Sequence, residues 1–329
     1  MAKAADIREI TLQDGGHRVS VLTFGARMRG WWVPLGGGCV PVVLGYDDPA
    51  AYLSDPLFLG ATIGRVANRI GGARFTLDGQ EMQLAANEGE NQLHGGATGL
   101  HNRLWDVVDE PTARSVRLST VLPDGDEGYP GEARISVRFT LDAPRLVIEL
   151  AAEVSRPGPI NLTNHNYYNL MGDGPIWNHS LQVPASGYTP VDAALIPTGQ
   201  VLPVEGTRYD YRQGTRLDAI DPDHTGSDIN LALDPARDPK APLARLSAPN
   251  GLALSIWSDA PGVQFYTGAG IGAASGAHPG QSFAPFRGLC LEPQGFPDAV
   301  NQPGFPPVIV TPDRPYRHSI VLEIAEDGQ

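Results

Sequence analysis

Lysine is nearly absent from this 329-residue chain. Only Lys3 and Lys240 occur, so arginine carries almost all of the positive charge. The formal net charge is -13, and no basic patch is visible, which argues against a nucleic-acid partner. Cysteine is equally scarce. Cys39 and Cys290 lie far apart in sequence without metal-ligand spacing, so two buried free thiols are expected rather than a disulfide or a metal site. Long apolar runs are missing. No stretch approaches the ~18 apolar residues of a membrane helix, and the first ten residues alternate charges with alanine, unlike a signal peptide. A cytoplasmic protein without a membrane partner is the expectation. A sustained helical stripe with caps is absent too, which excludes a helix bundle.

Glycine (39) and proline (30), by contrast, are abundant and scattered through the chain. They read as punctuation between many short elements, because proline breaks helices and glycine weakens them. Strand-like runs fall at Val19 to Phe24, Val40 to Leu44, Val116 to Leu122, Ile135 to Leu141, Leu146 to Ala151, Leu252 to Ile256, Val263 to Thr267, Gly288 to Leu291 and Ser319 to Ile324. Arg134 to Leu141 alternates polar and apolar residues, the period of a half-buried strand. Asp78-Gly79, Asp124-Gly125 and Asn250-Gly251 are hairpin signals, since these pairs tolerate positive φ. One short helix is expected near Asp47 to Leu53. The Pro/Ala/Arg-rich stretch from Pro235 to Leu246 reads as a surface loop rather than a linker. The expected fold is all-β. Residues 1–329 form one domain, a large antiparallel sandwich whose two layers bury the apolar faces of the strands.

Two of the eight histidines stand out. His94 lies in Asn91-Gln92-Leu93-His94-Gly95-Gly96, and His165 in Thr163-Asn164-His165-Asn166-Tyr167-Tyr168. Amides gathered with aromatics suit a sugar pocket. Hydroxyls need paired donors and acceptors, and the apolar ring face stacks on an aromatic such as Tyr167. Each histidine could equally be structural, and no helical H-E-x-x-H pattern supports a zinc site. Glu292 follows an apolar run and either caps a strand edge or points into a pocket. Asp228 could equally form a turn. Gly60 to Ile70 has two arginines in an apolar run but no phosphate-cradle pattern.

Together these segments resemble the aldose 1-epimerase (galactose mutarotase) family. Six match in order: Gly64 to Ile70, Asn91 to Gly96, Asp124 to Gly131, Asn161 to Leu170, Pro261 to Gly268 and Leu289 to Asn301. The resemblance implies the large antiparallel supersandwich of galactose mutarotases and no cofactor. It also implies site roles: Glu292 as catalytic base and His165 as general acid. Asn68, Arg69, His94, Asp228 and Gln264 would hold sugar hydroxyls, beside Tyr167. Ile229, Asn166 and Tyr168 depart from the family's usual histidine, threonine and phenylalanine, which bears on sugar preference.

Anomer exchange opens a cyclic hemiacetal. One group takes the proton of the anomeric hydroxyl, another protonates the ring oxygen, and the aldehyde rotates and recloses. A carboxylate and an imidazolium suffice. The expected substrate is a free aldose such as glucose or galactose, acted on by a monomer or homodimer. Two alternatives are a hexose-phosphate 1-epimerase, gripping phosphate with arginines such as Arg27, Arg29, Arg208 and Arg212, and a non-catalytic sugar-binding protein. The second would not need both Glu292 and His165.

Overall fold

The computed structural model describes residues 2–327. Its strands pair antiparallel throughout. A nine-stranded sheet contains the long strands Ser115–Leu122, Ala133–Asp142, Arg145–Val154, Tyr316–Glu326 and Leu252–Ser258 as consecutive neighbours. A six-stranded sheet runs in the order Tyr167–Tyr168, Leu289–Gln294, Gly262–Tyr266, Asp228–Leu233, Ala185–Thr189, Leu202–Pro203. A four-stranded sheet from Glu9 to Pro41 flanks them. Among the described residues, no helix is long and apolar enough to cross a membrane.

Alternation drives the layering. In Arg145–Val154 every second side chain is buried, and Leu146, Ile148 and Leu150 point inward. They share one core with Leu254, Ile320 and Leu322 of the same sheet and with Leu231, Val263, Phe265, Leu289 and Leu291 of the six-stranded sheet. Two inner faces packed in this way are the sandwich expected from sequence.

The nine strand-like runs all overlap strands, but Val40 to Leu44 does so only at Val40 and Pro41, and Phe24, Thr267 and Gly288 lie outside theirs. Asp78 and Gly79, with φ of 50° and 77°, make the two-residue turn between Arg74–Leu77 and Gln80–Gln83. Asp124-Gly125 does lie in a hairpin connection, between the paired strands Ser115–Leu122 and Ala133–Asp142, but not in a two-residue turn. It opens a long loop to Ala133 that packs under the site. The helix expected near Asp47 is a 3₁₀ turn, Pro49–Ser54, opened by an Asp48 side chain that accepts from Ala50 N. The stretch from Pro235 is a loop only as far as Leu243, because Ala244–Ser247 joins the large sheet. Both cysteines are free, but only Cys290 is buried. Cys39 sits exposed beside a glycine-rich turn.

Candidate active site

The same alternation that sends Leu289, Leu291, Val263 and Phe265 into the core sends their neighbours to the opposite face. In register, Asn230, Gln264 and Glu292 form one cross-strand row. Asp228, Tyr266, Cys290 and Tyr167 form the next. Directly opposed side chains lie ~5 Å apart, so the two rows make a dense polar patch. Loops cover it. Thr163–His165 pairs with Ala61–Ile63 and brings His165 over the sheet. Arg69–Ile70 pairs with Gln92–Leu93, which brings Asn68 and Arg69 beside His94.

The result is a pocket of about 220 Å³ lined by Asn68, Arg69, His94, His165, Tyr167, Asp228, Gln264 and Glu292, all eight residues expected from sequence. Phe58 and Tyr266 also line it. Alternation from Gln264 would have flagged Tyr266, which lies two residues on. Phe58 sits in a loop at φ 56° and had no sequence signal.

Three sequence segments brace the pocket. The buried Arg65 guanidinium donates to the carbonyls of Pro130, Gly131 and Pro159. Tyr129 Oη donates to Gln92 Oε1 at 2.5 Å, and Glu127 accepts from Thr98 N. The loop opened by Asp124-Gly125 is therefore scaffolding for the histidine loop. Gly95, at φ 82°, lies against the Gly64–Arg65 backbone, where a Cβ would come within 2.1 Å of Gly64 O.

Each polar group has a defined setting. His94 Nδ1 accepts from Asn68 N at 3.2 Å, so the ring proton sits on Nε2. Gln264 Nε2 donates to Asp228 Oδ1 at 2.6 Å. Arg69 makes a two-pronged pair with Glu88 at 2.6 and 2.8 Å. His165 Nε2 lies 3.8 Å from Glu292 Oε1, and both side chains are almost fully buried. Glu292 Oε2 and Gln264 Oε1 are buried with no hydrogen-bond partner. Such groups are costly, ~1–3 kcal/mol each, unless a ligand meets them.

Burial dominates the charges here. It pushes the Glu292 carboxyl well above the usual carboxylate range, with the charge of Asp228 adding to it. It pulls His165 down to about 4, opposed by a backbone hydrogen bond and helped by the charge of Arg27. Burial also lowers His94 and raises Asp228. The sequence reading required an ionised Glu292 beside a protonated His165. Burial in the unliganded pocket instead shifts both groups toward their neutral forms.

Two further sequence expectations are corrected. Ile229 points into the main core, opposite Asp228. Tyr168 is in that core as well, and Asn166 Nδ2 donates to Tyr168 Oη. None of the three lines the pocket, so these departures do not shape it directly. The four arginines that could have gripped a phosphate do not converge on it either. Arg27 pairs with Asp55, Arg29 with Glu9, Arg208 with Asp221 and Arg212 with Asp210. Arg69 is the one arginine that lines the pocket.

Donor atoms of His165, Cys290 and Glu292 lie within 4.8 Å of one another. The ring turns Nδ1 to the sulfur and Nε2 to the carboxylate, however. A single ion could not take both partners through one ring nitrogen without turning the imidazole.

The chain belongs to the aldose 1-epimerase family, whose family model matches residues 8–323. It is 39% identical to the galactose mutarotase of Bos taurus, over 96% of this chain and 93% of that protein. It is 36% identical to the aldose 1-epimerase of Escherichia coli K12, over 91% and 89%. A solved aldose epimerase homologue from C. elegans superposes with a TM-score of 0.92 at 30% identity, covering 98% of this chain and all of that one.

Proposed function

We propose that this protein is a cofactor-independent aldose 1-epimerase, an isomerase that interconverts the α and β anomers of free aldoses such as glucose or galactose. In this reading residues 1–329 act as one domain, in the cytoplasm. The observation that carries the reading is the Glu292–His165 pair, 3.8 Å apart at the base of a pocket rich in hydrogen-bonding groups.

Glu292 removes the proton of the anomeric hydroxyl, and His165 delivers one to the ring oxygen. The C1–O5 bond opens, the aldehyde turns about C1–C2, and the reverse transfers close the ring on its other face. Asn68, Arg69, His94, Asp228 and Gln264 hold the remaining hydroxyls, with Tyr167 against the sugar's apolar face. The proton count explains the charge states. A carboxylate with an imidazolium holds as many protons as a carboxylic acid with a neutral imidazole. Ring opening converts the first pair into the second, which is the form that burial favours. The pocket therefore stabilises the charge distribution of the open intermediate, and the active ion pair is one proton shift away.

The test is polarimetry on freshly dissolved α-D-glucose and α-D-galactose, with the buffer rate subtracted. Anomer exchange well above buffer is expected. Sugar binding without a rate above buffer would overturn the enzyme reading in favour of a sugar-binding protein.

A further inference from the structure

The His165 imidazole has two nitrogens, and the proposed chemistry needs only Nε2. The other, Nδ1, lies 3.5 Å from Cys290 Sγ. Cys290 is fully buried and points to the pocket side of its strand, two residue pairs along from Glu292, yet it does not line the pocket. It therefore meets His165 from behind. The base and the acid's neighbour come from one strand face, because Cys290 and Glu292 are separated by two in Leu289–Gln294.

We propose that Cys290 is a positioning residue for His165: its sulfur accepts from Nδ1–H and so leaves Nε2 free to exchange a proton with Glu292 and the substrate. This rests on His165 being the general acid. The thiol suits both states of the ring. Buried among Glu292, Asp228 and Tyr167, it stays a thiol, whose sulfur accepts from Nδ1–H of the neutral ring. When the ring becomes imidazolium, Nδ1–H still donates to sulfur. Without a partner there, the imidazolium would carry a buried, unsatisfied N–H. Besides the ring's hydrogen bond to its own backbone, the other side chains around His165 do not serve Nδ1. Tyr167 and Phe58 present ring faces or edges at 5.1 and 6.0 Å, and His94 meets it edge-on at 5.3 Å. Arg27 contributes charge alone, through a guanidinium engaged by Asp55, Leu59 O and His101 O.

Ring ¹⁵N chemical shifts of His165 read the tautomer directly in the unliganded wild type, and kinetics on Cys290→Ala and Cys290→Ser read its consequence. The expected tautomer is Nδ1–H. Cys290→Ala should lower kcat by ~10- to ~100-fold, the size of one hydrogen bond to a charged group, with KM little changed. Cys290→Ser, which restores a hydroxyl at Nδ1, should recover most of that loss. An Nε2–H tautomer in the wild type would overturn the proposal, and so would unchanged kcat in Cys290→Ala. A loss that serine does not repair would also overturn it, since it would mark a packing role. His165→Asn separates the two readings: full activity in that variant removes His165 as acid, while the wild-type tautomer still reports on Cys290.

Discussion

Glu292 combines the properties that stability would select against. It is a buried carboxyl with one oxygen unpartnered and a negative neighbour in Asp228. Glutamine at that position would keep the shape and shed the charge. Glu292→Gln should therefore lower kcat by at least ~10²-fold, the usual contribution of a positioned base, while sugar affinity and Tm hold or rise. Calorimetric binding beside polarimetric rates checks this, and near-normal turnover would remove Glu292 from its assigned role. Asp228 behaves differently, because its carboxylate is tied to Gln264. Asp228→Ala frees Gln264 Nε2 and removes an acceptor from the pocket, so KM should rise by roughly tenfold or more. A fall in Tm with KM unchanged would make Asp228 structural. The acid shows itself in pH. The reactive form is the singly protonated pair, so kcat/KM should be bell-shaped, with both limbs belonging to the pair. In His165→Asn the small residual rate should rise as Glu292 ionises and not fall again. An alkaline limb that survives in this variant would point to another acid, with His94 the first candidate.

At the scale of elements, period-two alternation made much of the site legible. In Leu289-Cys290-Leu291-Glu292 the apolar residues mark the core face, which leaves Glu292 on the other. That settles the open choice between a strand edge and a pocket. The same rule explains Ile229, whose position beside Asp228 in sequence suggested a pocket residue but places it in the core. What alternation cannot reach is the loops. Phe58 is delivered by the Asp55–Leu59 turn, where Asp55 accepts from Leu57 N and Leu59 N and is locked by Arg27. Glu88 meets Arg69 across the gap between two loops. Such pairings depend on how distant segments converge, which no local pattern records. The paired glycines after His94 are the exception, since they state a backbone demand openly. Gly95→Ala would put a Cβ against Gly64 O in a left-handed conformation. Its expected effect is destabilisation by ~2 kcal/mol or more and displacement of His94, so Tm and kcat/KM should fall together. Wild-type values for both would mean that the loop relaxes freely.

For the whole molecule, the buried histidines set the response to acid. Burial pulls His165 and His179 down to about 4 and His101 to about 3, and it lowers His94 as well. Each ring is neutral in the folded protein, whereas in the unfolded chain it takes up a proton near pH ~6.5. Between pH ~6.5 and about 4 the unfolded state therefore binds more protons, and stability must fall as pH falls across that window. Glu292 and Asp228, with raised values, act in the opposite sense, because the unfolded chain ionises them first as pH rises. His17 and His278 are lowered as well, so six histidines against two carboxyls leave a net loss toward acid. His179 isolates the effect, since it lies outside the pocket. Its Nε2 accepts from Leu170 N, and its Nδ1 meets Ile176 O. His179→Gln should be less stable than wild type at pH 7, because those partners are disturbed. The gap between the two proteins should then narrow on acidification, by up to ~3 kcal/mol at pH 4, because the variant no longer has a ring that must refuse a proton. Urea unfolding of both proteins at several pH values from 4 to 7 measures the gap. A gap that stays constant would mean that His179 titrates alike in the folded and unfolded chains, and that its burial does not govern the acid response.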